Sequence, residues 1–209
     1  MKRARSQCPR WPLLLLGAVL IGVLATPNAI VRAAEGDSLG GRLLVATNQI
    51  GDPRFAKTVI YVLHHDSSGA MGLIVNRRVA QWSFKRLLSE MGQDGTTIEG
   101  ELDVLYGGPV ETQRGFVLHS LDYADDRTRR IGDFLGVTTS PTIVRAIAEG
   151  RGPSKYLFVL GYAGWGAGQL EDEIQRRAWI SVDADESLVL GDNHDNKWDV
   201  ATAKRGVDL

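Results

Sequence analysis

The sequence predicts an α+β protein built on a mixed sheet, and three observations carry that expectation. Strand-like apolar runs crowd the first half of the chain, and helices and strands then mix without the regular alternation of a doubly wound parallel sheet. Several runs, "TVIYVLHH" (58–65) above all, are apolar at both odd and even positions, as in strands buried on both faces. The 209 residues, 44% hydrophobic and 23% charged, suffice for one sizeable core. No internal repeat and no low-complexity tract argues for a solenoid or a disordered chain.

Each element follows from local signals. "GDSLGG" (36–41) reads as a flexible lead-in and "RLLVAT" (42–47) as a strand. "DPRF" (52–55) is a turn opened by Asp-Pro. The run at 58–65 is a central strand, "DSSG" (66–69) reverses the chain, and "AMGLIVN" (70–76) completes a hairpin. "SFKRLLSEM" (83–91) is a short amphipathic helix capped by Ser83, with Phe84, Leu87, Leu88 and Met91 on one face. A polar loop separates it from strands at "DVLYGG" and "GFVLHS", and "DYADDRTRR" (122–130) is an exposed charged excursion. "SPTIVRAIAEG" (140–150) has a Ser140 cap, Pro141 in the first turn and Gly150 as a stop. "KYLFVLG" is a buried strand, "QLEDEIQRR" a helix, "AWISVD" and "SLVL" strands, and "NKWDVATAKRG" a closing helix.

The first 33 residues differ from the rest. Lys2, Arg3, Arg5 and Arg10 precede an apolar stretch at 12–25, and "VRA" (31–33) offers small residues for a cut. That is the pattern of a secretory signal peptide, too short for a comfortable transmembrane helix; retained, it would be an N-terminal anchor, the one route to a membrane. Used as a signal, it sends residues 34–209 to the periplasm or cell envelope. Without it the chain carries 19 Lys+Arg against 25 Asp+Glu, a poor balance for holding phosphate backbones, so nucleic acid is not an expected partner. The lone Cys8 lies in that segment, which excludes disulfides, thiolate chemistry and Cys-ligated metals from the remainder.

Few residues look like chemistry. "GYAGWGAGQLEDE" (161–173) is a glycine-rich link between a strand and a helix, the setting of phosphate loops. Its glycines miss the dinucleotide spacing, no G-K-[ST] follows, and Glu171, Asp172 and Glu173 crowd the helix start where a pyrophosphate would sit. Asp172 can pair with Arg176 and Glu173 with Arg177 four residues on. The stretch therefore reads as a compact turn around Trp165. Ser38 in "GDSLG" lacks the strand-before, helix-after context of a nucleophile elbow. His64 and His65 point to opposite strand faces and cannot easily share one ion, His119 follows "GFVL", and His194 in "DNHDN" reads as a turn residue. No cofactor or metal site is expected.

Taken together the segments resemble the YqgE/AlgH family of small bacterial proteins. The resemblance rests on "DPRFAKTVIYVLHHDSSGAMGLIVNR" (52–77), "GGPVETQRGFVLHS" (107–120) and "GYAGWGAGQLEDEI" (161–174), in that order, and spans about residues 39–209. It implies a closed, β-barrel-like mixed sheet flanked by helices in one α+β domain, here 42–209. It implies no established activity; some members are labelled transcriptional regulators, and members are generally cytoplasmic. Ala167 stands for a usual proline, Arg78 for another, and the N-terminal extension is atypical.

The motifs are glycines, aromatics and amides rather than an acid, a base and a nucleophile, so the leading expectation is a non-enzymatic binding or regulatory module. Its candidate face is His65, Asn76, Gly107, Gly108, Pro109, His119, Tyr162, Trp165, Gln169 and Glu171, turned to a protein or a small molecule. The alternative is a hydrolase-like enzyme using His65, His119 and Glu171, which requires these side chains to meet in one cleft.

Overall fold

Alternation along the strands explains the doubly apolar runs. In β1 (Leu43–Ala46), Leu43 and Val45 enter one buried cluster while Leu44 and Ala46 enter a second. The next strand, β2 (Val59–Asp66), does the same, with Val59, Tyr61 and Leu63 on the first side and Ile60 and Val62 on the other. A strand with core on both faces cannot show polar–apolar alternation. The computed structural model describes residues 38–95 and 97–204; the expected leader at 1–33 lies outside them. Residues 38–204 belong to one compact unit.

Four further strands build the first half: β3 (Gly69–Ile74), β4 (Arg78–Ser83), β5 (Glu101–Tyr106) and β6 (Val110–Ser120). The second half adds β7 (Thr128–Ile131), β8 (Leu135–Thr138), β9 (Tyr156–Gly166) and β10 (Trp179–Val182). The sheet order is β10-β1-β2-β3-β9-β6-β8-β7, with the β4–β5 pair attached through β5. All pairs are antiparallel except β5 with β9. The sheet curls so that both flanks share an inner core of Leu43, Tyr61, Leu73, Leu105, Leu118 and Leu135. The predicted α+β class with a mixed, partly closed barrel-like sheet is the observed one.

Five helices cover this sheet. α1 (Phe84–Glu90) and α2 (Pro141–Ala148) are capped by Ser83 and Ser140 as predicted, each hydroxyl accepting a backbone N–H at 3.3 Å. They cover the outer face of the β4–β5–β9–β6 flank through Phe84, Leu88, Ile143 and Val144, packed on Val117 and Phe158. α3 (Gln169–Gln175) covers the outer face of the other flank through Leu170. α4 (Glu186–Leu190) and α5 (Lys197–Lys204) close the open end of the inner core with Val189, Leu190 and Ala201.

The structure corrects three local expectations and adds one element. "SLVL" is a helix, because the Asp185 carboxylate caps it by accepting from Leu188 N–H at 2.8 Å. "RVAQWS", for which no element is expected from the sequence, is strand β4, with a register shift between Arg78 and Ala80. Part of the charged excursion pairs as edge strand β7. Above all, Gly161–Gly166 is not a turn: it continues β9, and Ala163–Gly166 is in strand register with β3.

Candidate functional site

β9 is the spine of the molecule, and its two halves keep different company. Phe158–Leu160 lies between β5 and β6, whereas Ala163–Gly166 pairs with β3. The change of neighbour falls at Gly161, which has φ +74, a conformation that L side chains rarely adopt. Here the incoming chain at 107–109 crosses almost in contact with the β9 backbone. A Cβ on Gly107 would lie 2.2 Å from the Gly161 carbonyl oxygen, and one on Gly108 would lie 2.2 Å from the Tyr162 carbonyl carbon. The glycines of two separate sequence blocks are therefore one structural device, a crossing of two backbones without side chains between them.

Beyond the crossing, one edge of β9 is open. The Trp165 carbonyl faces β3, pressing on Gly69, so positions 162, 164 and 166 turn their peptide groups the other way. On that side Tyr162 bridges Val110 and Gly166 N–H donates to the Gln169 side-chain oxygen at 3.1 Å. Among the described residues no strand pairs there with Gly164–Gly166. This edge lies in a groove of 630 Å³ lined by Asp52, Arg54, Phe55, Pro109, Val110 and Gly164, with Trp165, Gln169, Glu173 and Arg176 opposite.

The helical repeat makes α3 the groove's second wall. Gln169, Glu173 and Arg176 fall on one face at i, i+4 and i+7. Glu173 does not pair with Arg177 as the spacing predicted. Its Oε2 accepts from the indole N–H of Trp165 at 2.9 Å and of Trp179 at 2.8 Å, and its Oε1 accepts from Gln169 at 2.9 Å. Two indoles and an amide outcompete one solvated guanidinium for a carboxylate at the core margin. Arg177 leaves the helix at φ +59, while Asp172 does meet Arg176 at 3.6 Å. The indoles stack edge to face at 5.9 Å, and Phe55 meets Trp179 in the same manner at 5.8 Å. Across the groove Asp52 holds Arg54 and caps its turn; Arg54, first through its side chain, keeps the Asp52 carboxyl below its usual range.

Glu171 sits on the opposite side of α3 from the groove. Its Oε1 accepts from His65 Nε2 at 2.9 Å, while His65 Nδ1 accepts the Leu39 N–H at 3.1 Å. A nitrogen that accepts a backbone N–H carries no proton, so the pair fixes the Nε2–H tautomer of His65. Its own backbone N–H, then His65, holds the Glu171 carboxyl below its ordinary value. Ser38 adds a hydrogen bond to the His65 carbonyl, so residues 38–41 are tied down rather than loose.

The ten predicted face residues therefore divide. Pro109, Trp165 and Gln169 line the groove, Tyr162 adjoins it, and Gly107 and Gly108 form the crossing beneath. His65 and Glu171 are one helix-width away. Asn76 uses both ends of its amide to tie the Lys57 turn, accepting from Val59 N–H at 2.8 Å and donating to the Lys57 carbonyl at 2.9 Å. His119 lies elsewhere. It sits opposite Tyr156, nine positions along β9 from Trp165, roughly 30 Å of strand. It is fully buried, with Nδ1 donating to the Ser120 carbonyl at 2.8 Å and Nε2 accepting from Thr138 at 2.9 Å. Burial lowers its pKa. The trio of His65, His119 and Glu171 does not converge, because the two histidines belong to opposite ends of the spine. The residues that sequence reading missed are Glu173, Phe55, Asp52 and Arg54. The Asp-Pro turn was visible, but nothing local showed that it would face α3.

The fold and sequence are similar to those of known proteins. The AlgH-like family model matches residues 43–209. A UPF0301 protein of Bradyrhizobium sp. is 46% identical over 183 residues, covering 84% of this chain and 85% of the relative. One of Rhodospirillum rubrum is 42% identical over 170 residues, covering 81% and 88%. The solution structure of the AlgH protein from Pseudomonas aeruginosa superposes with a TM-score of 0.71 at 36% identity, covering 83% of this chain and 92% of that one. A Corynebacterium diphtheriae protein at 22% identity, with a TM-score of 0.60, shares the fold. With the model matching from the first strand onward and relatives above 40% identity over four-fifths of its length, the chain belongs to the AlgH-like family.

Proposed function

We propose that this protein is a binding module that takes an extended polypeptide segment along the open edge of β9. The observation that carries this reading is the edge at Gly164, which among the described residues faces a 630 Å³ groove rather than another strand. Unpaired backbone N–H and C=O groups are a template for one more strand. Glycine at 164 leaves its peptide group accessible, the Gly166 N–H being taken by the Gln169 side chain, and the Trp165 ring, held by Glu173, supplies a rigid wall for a guest side chain.

The groups available for chemistry support binding over catalysis. His65 spends both ring nitrogens on Leu39 and Glu171, and Glu173 spends both oxygens on indoles and an amide. No free nucleophile–base pair faces the groove among its lining residues.

Titrating a library of short peptides into isotopically labelled protein tests this reading. The Gly164 amide is expected to move first and saturably. Gly164→Pro, which removes the outward N–H from an edge position that tolerates proline, is expected to abolish binding and keep the melting temperature. Peptides that shift only residues outside the groove, or none that bind at all, would overturn it.

A further inference from the structure

The geometry of the open edge decides which guest side chains meet the groove, an inference that rests on the binding reading above. Side chains along β9 alternate: Ala163 and Trp165 belong to the outer cluster that α3 covers, whereas Tyr162 packs on the inner core. Both strands beside this part of the spine, β3 and β6, run antiparallel to it. A guest in line with β6 does the same, so one of its residues sits opposite Gly164 and exchanges hydrogen bonds with it. That residue turns its own side chain towards the Tyr162 face. The residue before it lies opposite Trp165 and the residue after it opposite Ala163, and both aim into the groove. Val110 already holds the place opposite Tyr162, so the guest must leave the edge there. The groove therefore meets two guest side chains, two positions apart.

Donors in the lining are not matched by free acceptors. Both of its carboxylates are committed, Glu173 to two indoles and the Gln169 amide, Asp52 to Arg54. Asp52 Oδ2 takes Arg54 Nε at 3.0 Å and Nη2 at 2.6 Å, and Arg54 Nη1 has no partner among the described residues. On the facing wall the Arg176 side chain is 73% exposed and meets Asp172 at 3.6 Å, too far for a hydrogen bond. The lining holds two cations and two anions, so unused guanidinium N–H groups distinguish it rather than net charge. Arg54 stands at the crossing end. Arg77 ties its turn there, donating to the Ala56 carbonyl at 2.9 Å while the Arg77 carbonyl accepts from Tyr106 N–H at 2.8 Å, next to Gly107.

We propose that the groove selects acidic peptide segments in which an apolar side chain is followed, two positions later, by a carboxylate. The apolar side chain, opposite Trp165, lies against that ring and Phe55. The carboxylate, opposite Ala163 and beside the crossing, accepts from Arg54 Nη1. Arg176, on the opposite wall, adds a second cation to the same groove. A basic side chain in that place would meet two guanidiniums and no free carboxylate, and a neutral one would leave the guanidinium N–H groups to water. The order of the two side chains follows from the antiparallel run of the guest, so the reversed order fits poorly.

Terminally blocked pentapeptides titrated into the isotopically labelled full chain test the assignment, with the Gly164 amide as readout. Ser-Leu-Ser-Glu-Ser is expected to bind at least about fivefold more tightly than the forms with Gln or Lys in place of Glu, and than the reversed Ser-Glu-Ser-Leu-Ser. The preference for Glu over Gln is expected to fade as sodium chloride is raised. Arg54→Gln is expected to remove that preference and Arg176→Gln to reduce it. Equal affinity for all four peptides, or a preference unchanged in Arg54→Gln, would overturn this inference and leave the open-edge reading standing. The same holds if these four leave Gly164 unmoved while other peptides shift it. No shift of Gly164 by any peptide would overturn both.

Discussion

The two halves of β9 solve the same problem in opposite ways. From Tyr156 to Leu160 the strand is bulky, and Phe158 and Val159 interlock with neighbours on both faces while β5 and β6 pair on both edges. From Gly161 to Gly166 the strand is small-residued, with glycine or alanine at every position except Tyr162 and Trp165. Among the described residues its Ala163–Gly166 stretch is paired with a strand on one edge only, and it is held by backbone contact at the Gly107–Gly108 crossing and by Glu173 from outside. Volume secures the first half and absence of volume secures the second. The half that packs least is the one that leaves a hydrogen-bonding edge to solvent.

Opposite substitutions are the strongest test of that contrast. Phe158→Ala, which empties a fully packed site, is expected to cost about 3–5 kcal/mol. Gly108→Ala, which adds a single methyl group, is expected to cost about 3 kcal/mol or more, because its Cβ meets backbone at 2.2 Å and φ is +149. Urea unfolding of both variants checks this. Full stability in Gly108→Ala would mean that the crossing opens freely, and the account of the glycine blocks would be wrong.

The sequence disclosed the first half and concealed the second for the same reason. Bulky both-face strands leave an apolar run, so β1, β2, β3 and the start of β9 were legible. Gly107 and Gly161 meet across 54 positions, and nothing in either segment states that they touch. Glycines following a strand look like its end, which is why "GYAGWG" reads as a turn. The acids of α3 misled similarly: Glu173 has a plausible partner in Arg177, and only the fold brings Trp165 and Trp179 to it. For α4 the signal was present in the Asp185 cap, but "SLVL" has the composition of a strand.

A second contrast separates the buried polar ties behind the two halves. The inner core behind Leu157 and Val159 is closed by Lys197, which is 3% exposed and donates to the Val75 and Val189 carbonyls at 3.0 and 2.6 Å. No carboxylate pairs with it among the described residues, and burial lowers its pKa to about 7, against a slight raising influence from Asp192. The folded pKa is thus below the unfolded one, and between them the unfolded chain binds more protons. Stability from this group therefore rises with pH from about 7 upward and is lost as pH falls towards 7. Between pH 7 and pH 9 the gain is on the order of 2 kcal/mol, and Lys197→Met is expected to flatten that slope. Urea midpoints at the two pH values give the slope directly. An unchanged slope in Lys197→Met would mean that the amine is charged in the folded protein.

Behind the glycine half the tie is Glu173, and its removal should be felt locally. Glu173→Ala leaves two indole N–H groups and the Gln169 amide without their shared acceptor, which costs about 1–3 kcal/mol. Glu173→Gln keeps one carbonyl oxygen for the indoles and is expected to lose less than half as much. The decisive readout is site-specific: hydrogen exchange at Ala163–Gly166 should quicken in Glu173→Ala while exchange at Leu157–Leu160 stays as it was. The first segment depends on Trp165 being pinned to α3; the second is locked by pairing on both edges and by the α1 and α2 cover. Uniform loosening of both segments would mean that β9 behaves as one unit, and the open edge would then owe nothing to the carboxylate beneath it.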